Sequence, residues 1–404
     1  MVTERPYINK ITYTIIMLAM VMFSCTKPYN PPAIKNVTGY LVVEGVINSG
    51  SDSTKFTLSR TVGLDSASTV NPVTGAKVTV EGNDNSSYPL TGNSAGVYTS
   101  VPLNLDNSKE YRLDIKTTDG KQYLSDYVPV KVTPAIDSVS YALEGNGVQL
   151  NVSTHDPANN THYYRWDYTE TWEFHAKYRS DYVSNGDTIL ARTPAQQVYY
   201  CYTNDNATNI LLGTSAKLTQ DIIAPTPVTF VPSTSEKLEM EYSIIVRQYA
   251  LTSDAYNFWT NLKTNTEELG SIFDALPSEI NGNIHCITDP SEPVIGYISV
   301  STITSKRIFI YNSSLSLLWT STYPYTCMLN LYLYNFTEYG GDINQVNEYL
   351  NYGRGAPPGN WIPTEPDDTL LANGTIKTLG FLATEPVCGD CTLRGTVIKP
   401  NFWQ

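Results

Sequence analysis

Residues 162–178 restrict the fold more than any other stretch of this chain. Tyr164, Trp166, Tyr168, Trp172 and Phe174 fall on one side of an extended backbone, and Arg165, Asp167, Thr169, Thr171, Glu173 and His175 on the other. A period of two over this length specifies an antiparallel strand with one face buried. The aromatic face reads as core rather than as a platform for stacking sugars, because side chains of this size bury large apolar areas. Such a strand needs partners on both edges and an apolar layer against one face.

The flanking sequence supplies them. Residues 40–47, 55–60, 76–81, 96–98, 111–116 and 121–123 read as short strands, the last entered through an Asp119-Gly120 turn. With no helix between them, they predict an immunoglobulin-like sandwich over residues 38–133. Further strands follow at 136–143, 148–153, 198–203 and 237–251. One helix is expected over 254–269, with Ser253 as its cap and Gly270 as its stop. The chain then returns to strands at 283–287, 294–302 and 307–311. Residues 342–350 suggest a short helix, 353–366 a loop rich in Gly and Pro, and 375–381 a last strand. The expected fold is mainly β: the N-terminal sandwich, then a larger antiparallel β domain over 134–404 with one inserted helix and a Cys-x-x-Cys tail.

The first 25 residues read as an export signal. Arg5 and Lys10 precede an apolar run over residues 11–23, and Ser24-Cys25 closes it. The run falls short of the about 20 residues that span a bilayer. With a Cys at the cut, the segment resembles a bacterial lipoprotein signal. Residues 1–24 would be removed and Cys25 would carry the acyl chains that hold the protein to a bilayer. Residues 25–37 are then a Pro-rich, extended tether. The formal charge is −13, which removes nucleic acid from the candidate partners. Aromatic residues at 11% provide enough apolar area for a core and exclude a disordered chain.

Export also makes disulfides the default for the remaining cysteines. With Cys25 on the anchor, Cys201, Cys286, Cys327, Cys388 and Cys391 remain, an odd number that leaves at least one unpaired within the chain. Cys388-x-x-Cys391 lacks the further ligands of a zinc site. Residues 392–398 do not read as the helix that a redox pair opens. A local Cys388–Cys391 disulfide pinning the tail is therefore expected. Cys201–Cys327 is a second possible pairing, which spacing alone does not fix.

No reaction is legible. His155-Asp156, His162 and His175 are metal-ligating types, but His162 and His175 are an odd number apart and point to opposite faces of a strand. They read as solvated polar residues. Glu365, Asp367 and Asp368 lack the alternating spacing of a calcium loop and read as a solvated loop. No catalytic residue, cofactor or metal ligand is assigned.

Several blocks carry a family likeness. They are Leu41-Val42-Val43-Glu44-Gly45, the helix around Trp259, Gly282-Asn283-Ile284, residues 292–297 (EPVIGY), Lys306-Arg307, and the tail Cys388-Gly389-Asp390-Cys391 with Gly395-Thr396 and residues 399–403. Together the chain resembles the Bacteroidota lipoproteins of the domain-of-unknown-function (DUF) 4249 family over essentially its whole mature length. Cys286, after His285, departs from that pattern. The resemblance implies an outer-membrane lipoprotein, on the surface or periplasmic leaflet, that serves a TonB-dependent transporter as a non-enzymatic accessory or binding partner in nutrient uptake. A structural or adhesive envelope lipoprotein is the alternative, and a surface hydrolase a third reading.

Overall fold

A computed structural model describes residues 39–63, 71–267, 282–338, 341–351 and 361–403. The signal, Cys25 and the tether lie outside the described residues. Among these residues no helix is long and apolar enough to cross a membrane.

The expected mainly β architecture is present. The first body opens with β1 (Leu41–Asn48), β2 (Ser53–Arg60), β3 (Lys77–Gly82), β4 (Ser87–Gly92), β5 (Val97–Pro102), β6 (Glu110–Lys116), β7 (Gln122–Ser125) and β8 (Val128–Pro129). β4 is the corner: Ser87 to Leu90 pair with β3, and Thr91 and Gly92 pair with β5. The two halves of the sandwich are thereby one curled sheet, close to a barrel. Alternation along each strand sends Leu41, Phe56, Leu58, Val78, Val80, Tyr98, Leu113 and Ile115 into a common core.

The second body contains β9 (Ile136–Glu144), β10 (Gly147–His155), β11 (Tyr163–His175), β12 (Tyr182–Ser184), β13 (Ile189–Ala191), β14 (Tyr200–Asn206), β15 (Leu211–Thr214), β16 (Ile222–Pro232) and β17 (Glu241–Ala250), then helix α1 (Ser253–Glu267). β11 is the aromatic strand, and it is central: β14 and β15 pair with one edge and β17 with the other. Its aromatic face packs against the sheet β16-β10-β9, where Val148, Leu150, Val152 and Val231 are buried with Tyr164, Trp166 and Phe174. Glu170 shares that buried face. Lys237 Nζ lies 2.6 Å from its Oε2, the Tyr242 hydroxyl donates to its Oε1 at 2.7 Å, and the ammonium sits 4.8 Å from the Trp172 ring. A buried carboxylate needs such partners to remain there.

After α1 the chain goes back. β18 (Ile284–Cys286) pairs with β7, while β19 (Val294–Ile295) and β20 (Val300–Ser301) both run parallel to β1. Parallel neighbours need a crossover, and here the connection carries β9 to β17 and α1 of the second body. The first body is thus discontinuous in sequence. β21 (Ile303–Tyr311) then completes the second body beside β17.

A C-terminal lobe holds β22 (Asn330–Leu333), β23 (Phe336–Glu338), β24 (Gly341–Ile343), β25 (Ile362–Leu370) and β26 (Ile376–Thr384). It departs from the sequence reading in three places. Residues 362–366, expected in a loop, belong to β25. Among the described residues that strand pairs only with β26, and an edge strand tolerates Pro363 and Pro366 because a missing N–H is not required there. Glu365, Asp367 and Asp368 are accordingly strand residues. The expected helix over 342–350 is instead the end of β24 followed by a π-helical turn at Val346–Asn351.

The third departure concerns the disulfides. Neither Cys388–Cys391 nor Cys201–Cys327 forms; the bonds are Cys201–Cys391 and Cys327–Cys388. A helical turn at Pro386–Gly389 ends at Asp390, whose backbone is extended, before a second turn at Cys391–Leu393. That break sends the two thiols to different partners. Cys286 is buried and free.

Candidate ligand-binding cleft

The polar face of β11 lines a cleft of about 710 Å³ between the two β bodies. Three sets of residues build it. From β11 and β17, register places Arg165 opposite Tyr249 and Asp167 opposite Arg247. Arg247 donates through Nε to Asp167 Oδ1 at 2.6 Å and through Nη2 to Thr169 Oγ1 at 2.8 Å. The Tyr249 hydroxyl donates to Asp167 Oδ2 at 2.7 Å. Both carboxylate oxygens are thereby occupied. Burial, with Asp167 beside it, pushes the Tyr249 phenol above its ordinary value.

The second wall is α1. Its first turn is capped by Thr252, not by Ser253 as the sequence suggested: Thr252 Oγ1 accepts from the Ala255 N–H at 3.2 Å. Ala255 and Phe258 are buried, and Ala255 joins Val46, Tyr249 and Leu251 in a small core that ties both bodies to the helix. This seats the Trp259 ring 4.4 Å from the Arg165 guanidinium, whose other neighbour is the Tyr249 ring at 4.5 Å. The 206–210 loop closes this end, with Ile210 N–H donating to Glu267 Oε1 of the helix at 2.6 Å.

The third wall is residues 42–45 of β1 and the Ile295-Gly296-Tyr297 segment beside it. Gly296 has φ +144°, and a Cβ there would lie 2.3 Å from the Val43 carbonyl oxygen. Only glycine allows this approach. Phe258 packs on Tyr297 with ring centroids 5.3 Å apart.

Three blocks that carry the family likeness therefore meet here: residues 41–45, the Trp259 helix, and the end of the 292–297 segment. Glu292 faces away from the cleft. It accepts from the Tyr123 hydroxyl at 2.8 Å and pairs with Lys121 and with Arg60, fixing the segment to the first body. The sequence showed Arg165 and Asp167 only as a polar face. Arg247, Lys55 and Asn206 were not singled out, because their relevance comes from strand register and interbody packing.

The other sequence candidates do not assemble. His155 is exposed and bonds Asp137 at 2.8 Å, His162 contacts Ser215 at 3.2 Å, and His175 stacks on Tyr199. Among the described residues no group of three His, Cys, Asp or Glu side chains is placed to hold a metal. The four disulfide cysteines secure the tail and none lines the cleft. Cys25 lies outside the described residues.

These features define a mainly β protein of several antiparallel sheets, with one long helix closing a cleft between two bodies. Residues 26–307 match the family described as a domain of unknown function (DUF4249), and the chain belongs to it. The match ends before the C-terminal lobe, so the tail blocks noted in the sequence fall outside it. No curated protein is matched. Among solved structures, chitinase ChiA74 from Bacillus thuringiensis is similar at 13% identity over 50% of this chain and 30% of that one, with a TM-score of 0.15. The adhesin InvE of Yersinia pseudotuberculosis is similar at 13% identity over 52% and 54%, with a TM-score of 0.12. This chain spans less than two thirds of either structure, and likenesses this distant carry no argument.

Proposed function

We propose that this chain is a lipid-anchored outer-membrane binding protein that works without catalysis, capturing or retaining cargo for a TonB-dependent transporter in nutrient uptake. The observation that supports it is the interbody cleft. Its volume suits a small-molecule ligand, and it mixes aromatic rings with a few fixed polar groups, as binding sites do. Asp167, in its polar wall, accepts from Arg247 and from Tyr249. An acyl anchor at Cys25 would raise the protein's effective concentration beside a membrane barrel.

Isolation of the native protein in mild detergent tests this reading. The expected result is an acylated Cys25 by mass spectrometry and a transporter retained on the column. A non-acylated, monodisperse chain with no transporter would overturn it. Altered attachment with normal growth in a deletion strain would favour the adhesive alternative.

A further inference from the structure

We infer that the cleft holds an oxyanion-binding subsite centred on Arg165, so that its cargo is a small organic anion bearing a carboxylate or a phosphate. The inference rests on reading the cleft as the cargo site and adds the chemistry of the ligand.

Arg165 is set apart from the other described arginines. Arg60 reaches Asp119, Arg112 reaches Glu81, Arg179 reaches Asp181, Arg247 reaches Asp167 and Arg394 reaches Glu236. Arg192 and Arg307 also donate to oxygen. Arg165 meets no acceptor among the described residues: its contacts are two aromatic rings, and its Nε is buried without a partner. The nearest carboxylate along the strand, Asp167, is fully engaged by others.

The Tyr249 and Trp259 rings lie 4.5 and 4.4 Å from the guanidinium carbon and hold the cation by contact with their π-faces. Its N–H groups are left without an acceptor among the described residues, and they match the geometry of a carboxylate or phosphate. Rings stabilise such a cation only partly, whereas a buried donor left unmet carries a desolvation penalty that an acceptor removes. The site is therefore incomplete until an acceptor arrives. Local charge agrees. The lining contains Lys55, Arg165 and Arg247 against Glu44 and Asp167, an excess of positive charge in a chain of −13. Such a patch concentrates anions against the field of the whole molecule. Trp259 and Tyr297 provide apolar surface for the ligand's ring or chain.

The test uses the full mature chain labelled with ¹⁵N and follows the Arg165 Nε–H resonance, assigned by its loss in Arg165→Lys. Sodium acetate, benzoate and phosphate are titrated at constant ionic strength set with sodium chloride, with benzamide as the neutral control. The expected result is a saturable shift with at least one oxyanion and none with benzamide. Benzoate binding more tightly than acetate would identify a cyclic carboxylate, and preference for phosphate would identify the other source. The Trp259 indole resonance reads the same site in the variant. There, binding should weaken at least fivefold while the amide fingerprint is unchanged. No oxyanion response beyond chloride, or equal affinity in Arg165→Lys, would overturn the inference. Retention of the transporter in that case would leave the uptake reading standing with a neutral cargo.

Discussion

Glu173 and Glu241 stand directly opposite each other on β11 and β17, a pairing of like charges across the strands. Burial, with Glu173 adding to it, raises the Glu241 carboxyl above its ordinary value. A carboxyl that is harder to ionise in the folded chain than in the unfolded one leaves stability fully present below the unfolded pKa. That stability is lost as pH rises through the raised folded value. Glu241→Gln should therefore stabilise the protein at pH 7 by roughly 0.5 kcal/mol, the scale of a cross-strand pair, and change little at pH 3.5. Urea denaturation at the two pH values checks this; a loss at pH 7 would contradict it. Glycine at 296 offers a second test. Gly296 and Gly374 both have positive φ, but a Cβ at 374 meets nothing within 4 Å, whereas one at 296 runs into Val43. Gly374→Ala carries backbone strain alone, of about 1 kcal/mol. Gly296→Ala adds a collision with backbone and should cost clearly more in the same denaturation experiment. Equal losses would mean that the β1 contact yields easily.

At the level of elements, β11 was legible because its signal is local: alternation needs no partner to be read. Even so, the reading passed over Glu170, which has the parity of the core face and survives there only through Lys237 and Tyr242. β25 was not legible, because tolerance of Pro363 and Pro366 depends on having one neighbouring strand rather than two. The cleft was hidden for the same reason: the Asp167–Arg247 pair exists by register across 80 residues of sequence. The disulfides follow this rule too, since a Cys-x-x-Cys spacing does not reveal a backbone break at Asp390. Non-reducing peptide mapping should give Cys201 linked to Cys391 and Cys327 linked to Cys388, with no fragment held by a Cys388–Cys391 bond. Replacing Cys201 and Cys391 by serine opens a link with a sequence separation of 190 and should lower stability by about 2–4 kcal/mol. An unchanged denaturation midpoint would show that Arg394 with Glu236, and Trp403 with Tyr202, already hold the tail.

Across the whole molecule, the return of β18, β19 and β20 decides how the bodies depend on each other. The first body owes Ile284, Cys286, Val294, Ile298 and Val300 to chain that follows the second. Burying side chains of this kind stabilises by roughly 1.5–3 kcal/mol each, so together they contribute about 10 kcal/mol. A domain's entire net stability is about 5–15 kcal/mol. The junction is tied as well: Thr133 Oγ1 accepts from Ala250 N–H at 3.0 Å, Thr133 N–H donates to Thr302 Oγ1 at 2.8 Å, and Gln248 donates to the Pro134 carbonyl at 2.9 Å. The cleft walls are thus connected through three passages of the chain, near residues 133, 251 and 302, and not by one flexible linker. Residues 39–133 expressed alone should lack a cooperative urea transition and show poorly dispersed amide resonances, although β1 to β8 are all present. The chain over residues 39–311, which restores β18 to β21, should unfold cooperatively. A stable, well-dispersed 39–133 fragment would mean that the returning strands merely decorate a finished sandwich, and that the cleft wall at Gly296 and Tyr297 can detach from β1.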